Sequence, residues 1–233
     1  MVRLMIGIWG TMAALSLTLR PVLAADSGTA WDNLNKEAVQ LYKAGDYARA
    51  ITVLQKALDL AEKQVGSDHP EVATSLNNLG MLYNKQGQYA EAEPLLVRAL
   101  AIDEKALGSD HPDMATKLNR LSLLYKDQGQ YAQAEPLLLR ALSIREKALG
   151  PEHREVAASL NNLATIYHDL EKHEQAVPYL LRALAIVEKA LGPNHPEVAT
   201  SLENIGVLYG AMDRNKEADE VRQRAARIRA LPR

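Results

Sequence analysis

The sequence contains no cysteine and no phenylalanine. Without cysteine there is no disulfide scaffold, no thiolate chemistry and no lipid attachment through an N-terminal thiol. Its aromatics are nine Tyr and two Trp, so a core must rest on Leu and Ala, as close helix–helix packing allows. Neither sign of charge dominates. The formal net charge is −2, which gives no general support for nucleic-acid binding. No phosphate-binding loop, Gly-x-Ser-x-Gly elbow or His-Glu-x-x-His pair is present, and the reading is non-enzymatic, with no cofactor. Apolar content of 47% with 24% charged residues is ordinary for a folded chain, which argues against disorder.

One long apolar run stands apart, at the N-terminus: "MVRLMIGIWGTMAALSLTLRPVLAADS". Arg3 precedes a charge-free run from Leu4 to Leu19, and Val22-Leu23-Ala24 supplies small residues at the −3 and −1 places of a cleavage site. Sixteen residues are short for a hydrocarbon core of ~30 Å, so 1–24 reads as a secretory signal peptide rather than an anchor. Cleavage would leave a short linker, 25–30, and an exported, periplasmic or extracellular chain. Bacterial origin is an inference from the export signal and the missing cysteine. The mature chain would lose Arg3 and Arg20 but no acid, and so become more acidic.

What the rest contains is a repeat. "DHP" at 68–70 returns at 110–112, as "EHR" at 152–154 and as "NHP" at 194–196, placing His69, His111, His153 and His195 42 residues apart. Blocks 69–110 and 111–152 are identical at 28 of 42 positions, and this register implies one structural unit per block. Each unit reads as two helices. Leu76, Leu79, Gly80 and Tyr83 form one stripe; after Gly87, Ala92, Leu96 and Ala99 form the inner stripe of a second. Gly108 is placed to stop that helix in the left-handed conformation, and "SDHP" offers polar caps and a first-turn proline to the next. Arg154 in place of that proline predicts a weaker cap in the fourth unit. Pro94, Pro136 and Pro178 fall about six residues into the second helices, implying either a bend or a late helix start.

The spacing of Leu76, Leu79-Gly80, Tyr83, Gly87, Tyr89, Ala92, Leu96 and Ala99 resembles the tetratricopeptide repeat. The 42-residue period, the "HP" loops and "AEPL…RAL…EKALG" are similar to its kinesin light chain form. The resemblance implies an all-α, right-handed superhelical solenoid of about five helix-turn-helix repeats over 31–231, at about 31–68, 69–110, 111–152, 153–194 and 195–231. The first repeat is divergent. In the fifth, Arg222 stands where a buried leucine belongs, suiting a polar end cap.

The resemblance also places the first helices along a concave groove. The groove-facing positions are Asp32, Asn35 and Val39; Thr74, Asn77 and Met81; Thr116, Asn119 and Leu123; Ala158, Asn161 and Thr165; and Thr200, Glu203 and Val207. Lys36, Asn78, Arg120, Asn162 and Asn204 flank them. An asparagine offers an acceptor and two donors, enough to pair with the backbone of an extended peptide whatever its side chains. The candidate ligand contacts are therefore Asn35, Asn77, Asn78, Asn119, Arg120, Asn161, Asn162 and Asn204. The expected partner is a protein or peptide held by an adaptor or assembly scaffold. The competing class is a self-associating module that stacks through its terminal helices.

The four regularly spaced histidines belong to successive repeats about 10 Å apart, too far to share a metal, and read as loop and cap residues. "HDLEKH" gathers His168, Asp169, Glu171 and His173 in one turn, but His173 replaces a packing tyrosine. The arginines of "KEADEVRQRAARIRALPR" read as the solvated face of a capping helix, or else as a site for an acidic partner or surface.

Overall fold

A computed structural model of the protein describes residues 29–231. These residues form ten α-helices and no strand, and divide into two compact units. The N-terminal unit, 29–129, holds α1 (Ala30–Lys43), α2 (Tyr47–Val65), α3 (Pro70–Lys85), α4 (Tyr89–Leu107) and α5 (Pro112–Asp127). The C-terminal unit, 130–231, holds α6 (Tyr131–Leu149), α7 (Arg154–Asp169), α8 (His173–Leu191), α9 (Pro196–Ala211) and α10 (Asn215–Arg229). Within each unit every helix packs on its sequence neighbour, and α3 also touches α5. Taken in pairs they give five helix-turn-helix repeats, the second helix being the longer in the first four. The proposed signal peptide and linker lie almost wholly outside the described residues.

Each helix starts and stops for a local reason. His69, His111, His153 and His195 are N-caps, whose Nδ1 accepts the backbone N–H of Glu71, Asp113, Glu155 and Glu197 at 3.2–3.3 Å. Pro70, Pro112 and Pro196 occupy the first turn, where a missing N–H costs nothing. The cap of α7 keeps the same geometry without that proline, so the weaker cap expected there is not seen in its hydrogen bond. Arg154 instead donates to Glu197 at 2.8 Å.

Gly108 ends α4 with φ +89° and ψ +154°. The positive φ agrees with the sequence reading, but the ψ is extended rather than left-handed helical, a region open essentially to glycine alone. Pro94, Pro136 and Pro178 lie inside intact helices beginning at Tyr89, Tyr131 and His173, which rules out a late start. All three are exposed, so the carbonyl each leaves unbonded faces solvent.

The cores are aliphatic. Ala38, Ala50, Leu54, Leu79 and Leu82 pack together where α1, α2 and α3 meet, and Ala61, Val72, Leu76, Ala99 and Ile102 form the next cluster. Leu96, on the inner stripe of the sequence reading, is buried, as are its equivalents one and two repeats on, Leu138 and Leu180. At Gly80 a Cβ would lie 2.8 Å from Leu96 Cγ, so this glycine sets how closely α3 and α4 approach. The Arg222 stem runs over Gly206, and its guanidinium donates to the Gly206 carbonyl at 2.9 Å, solvating a position that leucine fills elsewhere.

Candidate functional site

Apart from α1, the first helices bury a larger share of their residues than the second helices that follow them. Ten residues of α3 are buried, because α2, α4 and α5 surround it. That burial determines what the eight candidates can offer. In the N-terminal unit Asn35 is fully covered and its Nδ2 donates to the Trp31 carbonyl one turn back at 2.9 Å. Asn77, also buried, makes the same bond to Ala73 at 3.0 Å. Asn78 is buried, with its Nδ2 unpartnered. Asn119 and Arg120 on α5 are half-buried, and the Asn119 Oδ1 has no partner.

Arg120 is half-buried on α5. Burial pushes its guanidinium below the usual range, and the field of Asp103 opposes this only in part. In the C-terminal unit Asn161 and Asn162 on α7 are half-buried, while Asn204 on α9 is buried. Two pairs of sequence neighbours therefore keep part of their surface accessible: Asn119 with Arg120, and Asn161 with Asn162.

Several polar contacts between elements were not evident from the repeat pattern. Lys117 on α5 meets Asp103 on α4 at 3.1 Å, with side chains 18% and 6% exposed. The equivalent place in the C-terminal unit holds Arg145 on α6, which donates to Ser159 on α7 at 2.6 Å and approaches Glu155 at 3.4 Å. Between α1 and α3 it is Trp31 Nε1 that donates to Ser75 at 2.9 Å. Their signal was visible as variation: positions 103 and 145 read Asp and Arg, and positions 75, 117 and 159 read Ser, Lys and Ser, in blocks otherwise nearly alike.

The tyrosines of the first helices also reach neighbouring second helices. Tyr125 donates to Glu93 at 3.1 Å and Tyr167 to Glu135 at 2.6 Å. The bond to Glu135 raises the Tyr167 phenol far above its ordinary value, with burial adding to the effect.

Second helices clamp the loops. Arg98 donates to the Ser67 carbonyl at 3.1 Å while Lys105 holds Asp68 at 2.6 Å; Arg182 and Lys189 do the same for Pro151 and Glu152. Such repetition of one second-helix-to-loop clamp marks a tandem array. A tetratricopeptide-repeat model matches residues 32–105, 74–147, 113–189 and 155–230. The chain belongs to the tetratricopeptide-repeat family.

Among solved tetratricopeptide-repeat structures it is similar to a Podosopora anserina protein of kinesin light chain type with nearly identical repeats. That pair shares 29% identity over 85% of this chain and 94% of the other, with a TM-score of 0.77. BtubC (BKLC) from P. vanneervenii aligns at 24% identity and TM-score 0.76, over 87% of this chain and 83% of its own. YrrB, described as having an unusual peptide-binding site, aligns at 20% and 0.54, over 87% and 93%. The last two likenesses carry the fold alone. No match was found among curated proteins.

Other features bear on alternative readings. No helix among the described residues is long and apolar enough to cross a membrane. The arginines of α10 are mostly engaged: Arg224 with Glu188, and Arg229 with Glu203 at 2.6 Å and Thr200 at 3.2 Å. This leaves little free positive charge for an acidic surface. A shallow cavity of about 290 Å³ lies among Asn194, Arg224, Arg227, Ile228 and Leu231, none of them a candidate residue.

Proposed function

We propose that the protein is a non-enzymatic interaction module that holds an extended peptide or protein segment against its first helices, as an exported adaptor or assembly scaffold. The observation that carries this is the state of α5. Asn119 and Arg120 are half-buried there and keep part of their surface accessible, and burial of the Arg120 guanidinium is opposed only in part by the field of Asp103. A half-buried guanidinium and amide can be paired by the carbonyl and N–H groups of a peptide backbone. In the C-terminal unit, half-buried Asn161 and Asn162 on α7 offer amide chemistry of the same kind. Asn35, Asn77, Asn78 and Asn204, being covered, contribute by fixing their own helices or by lying beneath the face. Export rests on the N-terminal segment 1–24.

The test pans a displayed library of random peptides against the purified chain, then titrates the best binder against two double variants, Asn119→Ala/Arg120→Ala and Asn161→Ala/Asn162→Ala. Two lost hydrogen bonds at about 1 kcal/mol each predict weakening by about 30-fold in at least one variant, with helical content unchanged. Undiminished binding in both defeats the reading. Light scattering without peptide addresses the competing class, since self-stacking requires a mass that rises with concentration.

A further inference from the structure

The turn between α7 and α8 is built differently from the turns before α4 and α6. Those cross at Gly87 and Gly129, with φ +74° and +73°, and run into Tyr89 and Tyr131. Here Glu171 takes φ +58° with a side chain attached, and His173 replaces the tyrosine. His168, in the last turn of α7, brings its ring centroid 5.0 Å from that of His173, at an interplanar angle of 33°. The Nδ1 atoms of both are buried and unpartnered. Backbone bonds close the turn, from Glu171 N–H to the His168 carbonyl at 2.9 Å and from Lys172 N–H to that of Tyr167 at 2.8 Å. No group of three or more metal-ligating side chains occurs among the described residues, so the pair is not part of such a cluster.

We propose that this turn is an acid-sensitive joint: the neutral His168–His173 pair packs ring against ring and holds it closed, and protonation loosens it. Two imidazolium ions 5 Å apart repel, and a strained φ leaves the turn little stability to spare. Burial, then the charge of His173, lowers the His168 pKa, while Asp169 acts in the opposite sense. The other charged groups of the turn are Glu171, Lys172 and Glu174. From the start of α10, Arg214 approaches Glu174 at 3.8 Å. From within α8, uncharged Tyr179 stacks on Tyr167 with centroids 5.4 Å apart.

The sign follows from linkage. A histidine whose folded pKa lies below its unfolded value of about 6.5 contributes stability above that pH, and loses it as pH falls. His168 lies on the same α7 stripe as Asn161 and Thr165, so the joint and the candidate binding face share a helix.

The full chain is melted at about pH 7.5 and pH 5.5 beside Glu171→Gly/His173→Tyr, which restores the turn of the preceding repeats. The four N-cap histidines are present in both proteins and cancel in the comparison. On acidification the parent should lose about 2–4 °C more in Tm than the variant. Equal losses overturn the proposal. Should the double variant fail to fold, His168→Asn, the residue that α3 carries at Asn84, serves the same comparison, and an equal acid loss there also overturns it.

Discussion

Lys117 and Asp103 show what a single buried contact contributes. Their side chains are 18% and 6% exposed, so removing one partner strands a charge where water cannot reach it. Lys117→Met should destabilise the protein by about 3 kcal/mol, the low end for such a break, because the field of Arg120 still partly compensates Asp103. Adding Asp103→Leu should recover most of the loss in urea melts. A Lys117→Met protein as stable as the parent would mean that the pair is solvated. The pair was only half legible in the sequence, since its members were visible as departures from the repeat while their partnership needed the packing of α4 on α5. The asparagines were similar. Their recurrence was plain, but every helical asparagine has a carbonyl four residues back, and only the surrounding helices decide which amides fold back as Asn35 and Asn77 do.

For elements, the sequence was a better guide. Period and punctuation are local, so the leucine stripes and loop glycines marked the helices without knowledge of their neighbours. Leu138 on α6 is 3% exposed, and Leu138→Ala should cost about 2–5 kcal/mol in chemical denaturation. A loss below about 1 kcal/mol would mean that α6 is rotated from the register described. Backbone detail was less legible. Gly108 has the positive φ that its place implied, with a ψ that depends on where the loop must deliver His111. The cap of α7 persists without a proline because the bond comes from the His153 imidazole rather than from the first-turn residue.

At the scale of the molecule, fold class and repeat number were readable because near-copies of one unit must bury the same faces in the same way. The ligand was not, since the asparagine positions carry two opposed uses, toward a partner or toward their own helix. Export is tested by mass. Material recovered from the periplasm or medium should begin at Ala25, shown by intact-mass measurement, while full-length protein retained in membranes would indicate an anchor.

The contacts between neighbouring repeats also bear on how such a chain can evolve. Copying and deletion of whole units is the easiest change for a tandem gene, and 28 shared positions in 42 suggest that copying happened here. Yet the junctions carry a grammar. Asp103 suits Lys117, while Arg145 suits Ser159 and Glu155. A second copy of block 111–152 inserted after the first would set Arg145 beside a new Lys117, cation against cation. Deleting that block would leave the Asp103 carboxylate facing Ser159 without its lysine. The units look interchangeable along the sequence, but their neighbours fix their order, so the array can grow or shrink only when both sides of a junction change together.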